Sequence, residues 1–226
     1  HYTYDNGNFS GLSSKSVLSL FESEDGNIWI GLDQGGLNYF DRQTQRFTHY
    51  LHDPNNANSL IGNVINDIYE DSRGDLYLGT YLTSFDIIDR EQQHFKHHWK
   101  GKDPKSDRPA YIRMFLEDSY GNFWIASTMH NGLYLYDRDS GESTEYGVSI
   151  GTITYLFEDR SANLWVGTSN GLHLLDRDKK AFQSWQHTPA DPNSINSNLI
   201  ITIYEDDLGK IWIGTDKGLN RFDREQ

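Results

Sequence analysis

Cysteine is absent from the 226-residue sequence, which excludes a disulfide framework and any thiolate-held metal. Positive charge is scarce. Twenty Lys and Arg face 33 Asp and Glu, a formal net charge of −13. Phosphate backbones need a clustered basic surface, so no nucleic-acid partner is expected; an anionic membrane face is equally unsuited to direct contact with this segment. No apolar run approaches the roughly 18 residues that suggest a span, and no signal peptide is visible. The chain lacks an initiator Met and starts mid-pattern at His1-Tyr2-Thr3-Tyr4, which reads as a portion of something longer. Aliphatic content is low as well, with 36% hydrophobic residues and a mean hydropathy of −0.72. Six Trp, fourteen Tyr and eleven Phe compensate, since each aromatic ring buries a large area.

A repeated pattern dominates what is present. Five segments share an apolar stretch ending in an acidic residue, a turn, an aromatic-apolar-small triplet, then Gly-Leu, then Asp-Arg. The first runs Ser19-Leu-Phe-Glu-Ser-Glu-Asp-Gly-Asn-Ile-Trp-Ile-Gly31 and the last Thr202-Ile-Tyr-Glu-Asp-Asp-Leu-Gly-Lys-Ile-Trp-Ile-Gly214. The anchoring aromatics Trp29, Tyr77, Trp124, Trp165 and Trp212 are spaced by 48, 47, 41 and 47 residues. Each unit divides into four short β segments, and no 3.6-residue apolar stripe marks a helix. Gly26, Gly74, Gly121 and Gly209 hold a turn exit that calls for positive φ. The fourth unit has Ala162 there, so a different turn is expected at that point.

A period of 41–48 residues holding four strands is the length of a propeller blade, whose radially packed sheets bury both faces. The expected fold is therefore all-β, a β-propeller of five four-stranded blades spanning residues 1–226 as one domain. Repeated Trp, Glu, Asp and Asp-Arg positions are read as blade-building residues. Two arrangements remain open. His1–Tyr4 resembles a fourth strand such as Phe47-Thr-His-Tyr50 and would complete the last blade, with 43 residues from Trp212 around the join to Trp29. Alternatively, the five blades are part of a seven-bladed ring.

Stretches such as Glu205-Asp-Asp-Leu-Gly-Lys-Ile-Trp-Ile-Gly214, and the linkers His52-Asp-Pro-Asn-Asn-Ala-Asn-Ser-Leu60 and Thr188-Pro-Ala-Asp-Pro-Asn-Ser-Ile195, resemble the two-component regulator propeller repeat. The second unit departs with Tyr77 and Tyr81–Phe85, the third with Ala126-Ser127. The resemblance implies a periplasmic sensor ectodomain of a membrane histidine kinase, often a hybrid one, or of a diguanylate cyclase. It further implies a small-molecule ligand, with carbohydrates prominent among those of the family, and a homodimer in the full-length receptor.

Ligand contacts are expected where the repeats differ, on the loops joining second and third strands. These contribute Asp33, Gln34, Tyr81, His130, Asn131, Asn170, Asp216 and Lys217. Aromatic, amide and acidic side chains together suit a sugar or a peptide. A free-standing lectin is the second reading, although loops that differ between units disfavour equivalent sites. A propeller glycosidase is the third and would need converging carboxylates, yet about fifteen of the 33 acidic residues recur in the repeat. His94-Phe-Lys-His97-His98 is the one metal-like cluster. Strand alternation splits it over two faces, so no metal and no cofactor is expected.

Overall fold

In a computed structural model, residues 1–4, 10–81, 84–89, 94–98, 111–127, 132–146 and 150–222 are described. They form nineteen strands and, among the described residues, no helix. The first sheet comprises β1 (Val17–Glu22), β2 (Ile28–Leu32), β3 (Leu37–Asp41) and β4 (Arg46–Tyr50), and the second β5 (Ile65–Glu70), β6 (Leu76–Thr80), β7 (Phe85–Asp89) and β8 (His94–His98). The third holds β9 (Ile112–Glu117), β10 (Phe123–Ser127), β11 (Leu133–Tyr136) and β12 (Ser143–Tyr146), and the fourth β13 (Ile153–Glu158), β14 (Leu164–Thr168), β15 (Gly171–Asp176) and β16 (Ala181–Trp185). The fifth has β17 (Ile200–Glu205), β18 (Ile211–Thr215) and β19 (Gly218–Phe222). Every sheet is a meander in chain order. The fold is all-β and of the propeller type, as the repeat period requires. The chain divides into two compact units, residues 1–115 and 116–226.

In the first unit, Trp29 and Leu37 of the first sheet share one core with Leu60, Ile65, Ile68, Leu76, Leu78, Ile88 and Phe95 of the second. The second unit repeats this, with Trp165 and Leu172 packed on Ile195, Ile200, Ile203, Ile211 and Ile213. The repeated Trp thus cements neighbouring sheets, as its recurrence implied. The small residue after it has a steric cause. A Cβ at Gly31 would lie 2.7 Å from the Ile65 carbonyl oxygen, and one at Gly167 would lie 2.7 Å from the Ile200 side chain. The next first strand passes too close for anything larger.

The turn aspartates do more than cap their own turns. Asp118, Asp159 and Asp206 accept the indole Nε1–H of Trp124, Trp165 and Trp212 at 2.6, 2.6 and 2.7 Å. A Trp N–H buried in a core must find such an acceptor. The repeated Glu reaches the preceding sheet: Glu158 accepts the Ser119 backbone N–H at 2.8 Å, and Glu205 that of Arg160 at 2.7 Å. The repeated Arg ties hairpin ends, as Arg138 to Glu117 at 2.7 Å, or neighbouring sheets, as Arg177 to Asp118 at 2.6 Å.

One expectation is corrected. The turn at Ala162 is not different. Its φ is +60°, and its N–H bonds the Asp159 carbonyl at 2.8 Å, just as Gly121 bonds Asp118. Asp159 Oδ1 also accepts the Ser161 and Asn163 N–H groups at 2.9 and 3.0 Å, which over-determines the turn and holds the alanine in a conformation costing about 1 kcal/mol. In the first unit, Tyr4 bridges Leu12 in parallel, and the Tyr2 ring packs on Phe40 and Phe47 at 4.8 and 5.4 Å. The aromatic pair Phe40 and Phe47 on β3 and β4 thus holds the Tyr2 ring.

Candidate functional site

The second-to-third-strand loops are tight, and backbone bonds fix their paths. Asp33 donates its N–H to the Ser16 carbonyl at 3.0 Å, while Ser14 Oγ donates to the Asp33 carbonyl at 2.6 Å. Gln34 takes φ +57° between them, and both residues are exposed. In the next sheet Tyr81 stands 46% exposed and stacks on Tyr111, ring centroids 4.3 Å apart and planes 9° from parallel. A hydrogen bond to the Tyr111 hydroxyl, Coulombic repulsion from that ring and the nearby Asp33 carboxylate hold the Tyr81 phenol above its ordinary pKa. The phenol therefore stays protonated across the physiological range, keeping its O–H for donation. Tyr81 and the half-buried Tyr111 form a double-ring platform, within electrostatic range of the exposed Asp33 carboxylate.

The candidates of the second unit behave differently. Asn170 accepts Gln186 Nε2 on its carbonyl at 2.8 Å and donates its N–H to Thr168 Oγ1 at 2.9 Å. Gly151 makes room for it, since a Cβ there would lie 2.8 Å from the Asn170 Cβ. Lys217 donates its N–H to Thr215 Oγ1 at 3.1 Å and accepts Asn196 Nδ2 at 3.2 Å. Asp216 and Lys217 are exposed turn residues. These three close turns and form no shared platform in the structure. His130 and Asn131 lie outside the described residues.

Some functional-looking chemistry was hidden from the sequence. In four sheets the third strand carries a polar residue opposite an apolar one of the second strand: Asn38, Asp86 and His173 are at most 2% exposed, and Asn220 is half-buried. Asp86 accepts the Ile61 N–H at 2.9 Å and meets His97 Nδ1 at 2.7 Å, while His97 Nε2 faces the Ala57 carbonyl at 3.0 Å. Desolvation raises the Asp86 pKa. His98 stacks on Phe85 at 5.7 Å, so this histidine run serves packing and linker docking. The available signal was one polar residue interrupting an apolar third strand. Tyr111 had no such signal, because only folding brings it to Tyr81. Among the described residues no group of three His, Cys, Asp or Glu could hold a metal ion.

The family model of the two component regulator propeller matches residues 11–34, 59–82 and 194–217. These segments are two-component regulator propeller repeats. They cover the first, second and fifth repeats, and each includes its second strand. A search of curated proteins finds no match. Among solved structures, the extracellular domain of the putative hybrid two component system BT4673 from B. thetaiotaomicron aligns with TM-score 0.80 at 23% identity, over 92% of this chain and 27% of that one. The corresponding domain of BT3049 from the same organism aligns at 0.71 and 20% identity, over 97% of this chain and 35% of that one. Virginiamycin B lyase from Staphylococcus aureus aligns at 0.68 and 14% identity, over 95% and 69%. At such identities the likeness is one of fold. The chain spans about a quarter to a third of the two sensor-system domains.

Proposed function

We propose that this array of regulator propeller repeats is a non-catalytic, ligand-binding portion of the periplasmic ectodomain of a bacterial two-component sensor, and that the Tyr81–Tyr111 platform with Asp33 receives the ligand. The observation that carries this reading is the parallel tyrosine pair, with Tyr81 exposed and Tyr111 half-buried. Positions equivalent to Tyr81 in the other repeats hold Asp33, Thr128, Ser169 and Asp216, so a lectin with one site per blade is disfavoured. An aromatic face presents C–H-binding surface to a sugar ring, and the carboxylate and phenol supply directional hydrogen bonds. A small oligosaccharide is the ligand class that best fits a flat apolar face rimmed by acceptors. Signalling requires the ligand to favour one of two receptor arrangements, most simply two placements of a homodimer.

The test is a thermal-shift screen of this chain against oligosaccharides, since binding the native state raises its melting temperature. At least one sugar should raise it by several degrees, and Tyr81→Ala should abolish that shift while leaving the unliganded melting temperature within about 2 °C, because the ring is half-exposed. No responding sugar, or a response untouched by the substitution, would remove the platform from the site.

A further inference from the structure

In three sheets the segment leading into the sheet is gripped by the polar residue on that sheet's third strand. Asn38 Oδ1 accepts the Ser13 N–H at 3.0 Å, Asp86 Oδ2 the Ile61 N–H at 2.9 Å, and Asn220 Oδ1 the Asn196 N–H at 2.9 Å. In the first two sheets a fourth-strand histidine, directly opposite that residue in the ladder, adds a second grip. His49 Nε2 meets the Gly11 carbonyl at 2.9 Å, and His97 Nε2 meets the Ala57 carbonyl at 3.0 Å. The two devices differ in one side-chain group. The first sheet has an amide, whose Nδ2 donates to Ser13 Oγ at 2.6 Å. The second has a carboxylate, 2.7 Å from His97 Nδ1.

Donor counting fixes the protons of the second device. A carbonyl only accepts, so His97 Nε2 must carry a hydrogen to bond Ala57. Asp86 Oδ2 faces an N–H and is a bare acceptor. The Nδ1–Oδ1 contact needs a proton of its own. Asp86 and His97 together thus hold two protons and carry no net charge. Removing either proton turns two lone pairs on each other, at Nδ1–Oδ1 or between Nε2 and Ala57. It also leaves a net negative charge on a pair whose carboxylate is fully buried, and a low local dielectric makes both changes costly. The His97 side chain is 22% exposed, so the pair can exchange protons with solvent. An amide in place of the carboxylate reverses this logic, because its Nδ2 donates to a bare Nδ1 and a neutral imidazole then satisfies both contacts.

We propose that Asp86 and His97 form a proton-operated latch on the linker His52–Leu60, holding it while the pair keeps both protons and loosening it as pH rises. The sign follows from linkage: across the ordinary histidine range the latched pair binds more protons than the same residues released, so the hold weakens with rising pH. The latch has a path to the loop of the first sheet. Asn63 accepts the His52 N–H on Oδ1 at 2.7 Å and the Gly36 N–H on its carbonyl at 2.8 Å, and Gly36 closes the loop that carries Asp33 and Gln34. Among the described residues, the other ionisable groups around the pair are His52 and Asp53 on the linker and Lys96 and His98 on β8. The last two point to the opposite strand face, where Lys96 meets Asp89 at 3.5 Å and His98 stacks on Phe85. Asp53 accepts the Asn55 N–H at 2.9 Å. His52 is matched by His187, which makes the same 2.7 Å bond within its own linker. That second linker enters a sheet with Asn220 where Asp86 would stand, so the chain contains its own reference. The latch does not rest on the ligand-binding role.

Amide hydrogen exchange, followed by NMR on the 226-residue chain and corrected for the intrinsic effect of pH, tests it. The amides to follow are Ile61, bonded to Asp86, and Phe95, bonded to the Asn58 carbonyl at 3.0 Å. From about pH 5.5 to about pH 8.5, which brackets histidine titration, their protection should fall at least about tenfold relative to that of the Asn196 amide. Asp86→Asn should remove or reverse that fall, and His97→Gln should remove it, with circular dichroism confirming that each variant is folded. The comparison of the two linkers in the parent needs no substitution and stands where a variant does not fold. Equal changes at both linkers, or a fall as large as the parent's in either folded variant, overturns the proposal.

Discussion

Asp67 shows how one side chain ties neighbouring strands at a cost set by pH. Its Oδ2 accepts the Phe115 N–H at 2.8 Å, and loss of hydration nonetheless raises its pKa to about 6. An acid with a raised folded pKa binds more protons when folded than unfolded, so its contribution falls as pH rises through the interval from about 4 to 6. Asp67→Asn keeps an amide oxygen for Phe115 and has no charge to desolvate. Urea unfolding should therefore find the variant more stable by about 2 kcal/mol at pH 7.5 and close to the parent at pH 4. Parallel stability curves for the two proteins from pH 4 to 7.5 would contradict this. The sequence made the recurring acids legible as structural but could not say what they hold. Trp124 and Asp118 are six residues apart, yet their bond exists only because a hairpin folds the indole back over the turn.

At the scale of elements, the two long linkers are one device used twice. His52 and His187 close the loop onto its own carbonyl, and Ser59 and Ser194 pin its start. Replacing His52–Leu60 by residues 187–195 should thus change stability by no more than about 1 kcal/mol in a denaturant titration, whereas Ser59→Ala should cost about 1–2 kcal/mol by orphaning the Asp53 N–H. A swap that costs several kcal/mol would mean that the loop's bonds depend on its surroundings. Strands, turns and linkers could be read from the sequence because period, glycine positions and aromatic anchors act locally. The turn at Ala162 misled because an L residue's left-handed strain is a local cost, while the bonds that outweigh it come from Asp159.

For the whole molecule, the net charge of −13 sets a self-repulsion that ordinary ion pairs do not remove. Salt shortens its range from about 30 Å at 0.01 M to about 8 Å at 0.15 M. Raising sodium chloride across that interval should lift the melting temperature by a few degrees. The Arg138–Glu117 pair, with both side chains 9% exposed, is screened little and offsets this only weakly. A melting temperature that falls with salt would show that attractive pairs, not net repulsion, dominate the surface.

By itself the sequence determined an all-β array of propeller repeats, because a multi-point pattern recurring five times leaves one way to bury its aromatic positions. It also determined that the chain carries no disulfide, since it contains no cysteine. Only the tertiary structure decided what the Tyr2 ring packs on, which of the variable loop residues meet, and what the repeated acids hold. Each of those depends on contacts between residues distant in sequence: Tyr2 with Phe47, Tyr81 with Tyr111, Glu205 with Arg160. A periodic pattern specifies what every blade shares. What the differing positions bring together, such as Tyr81 and Tyr111, only packing reveals.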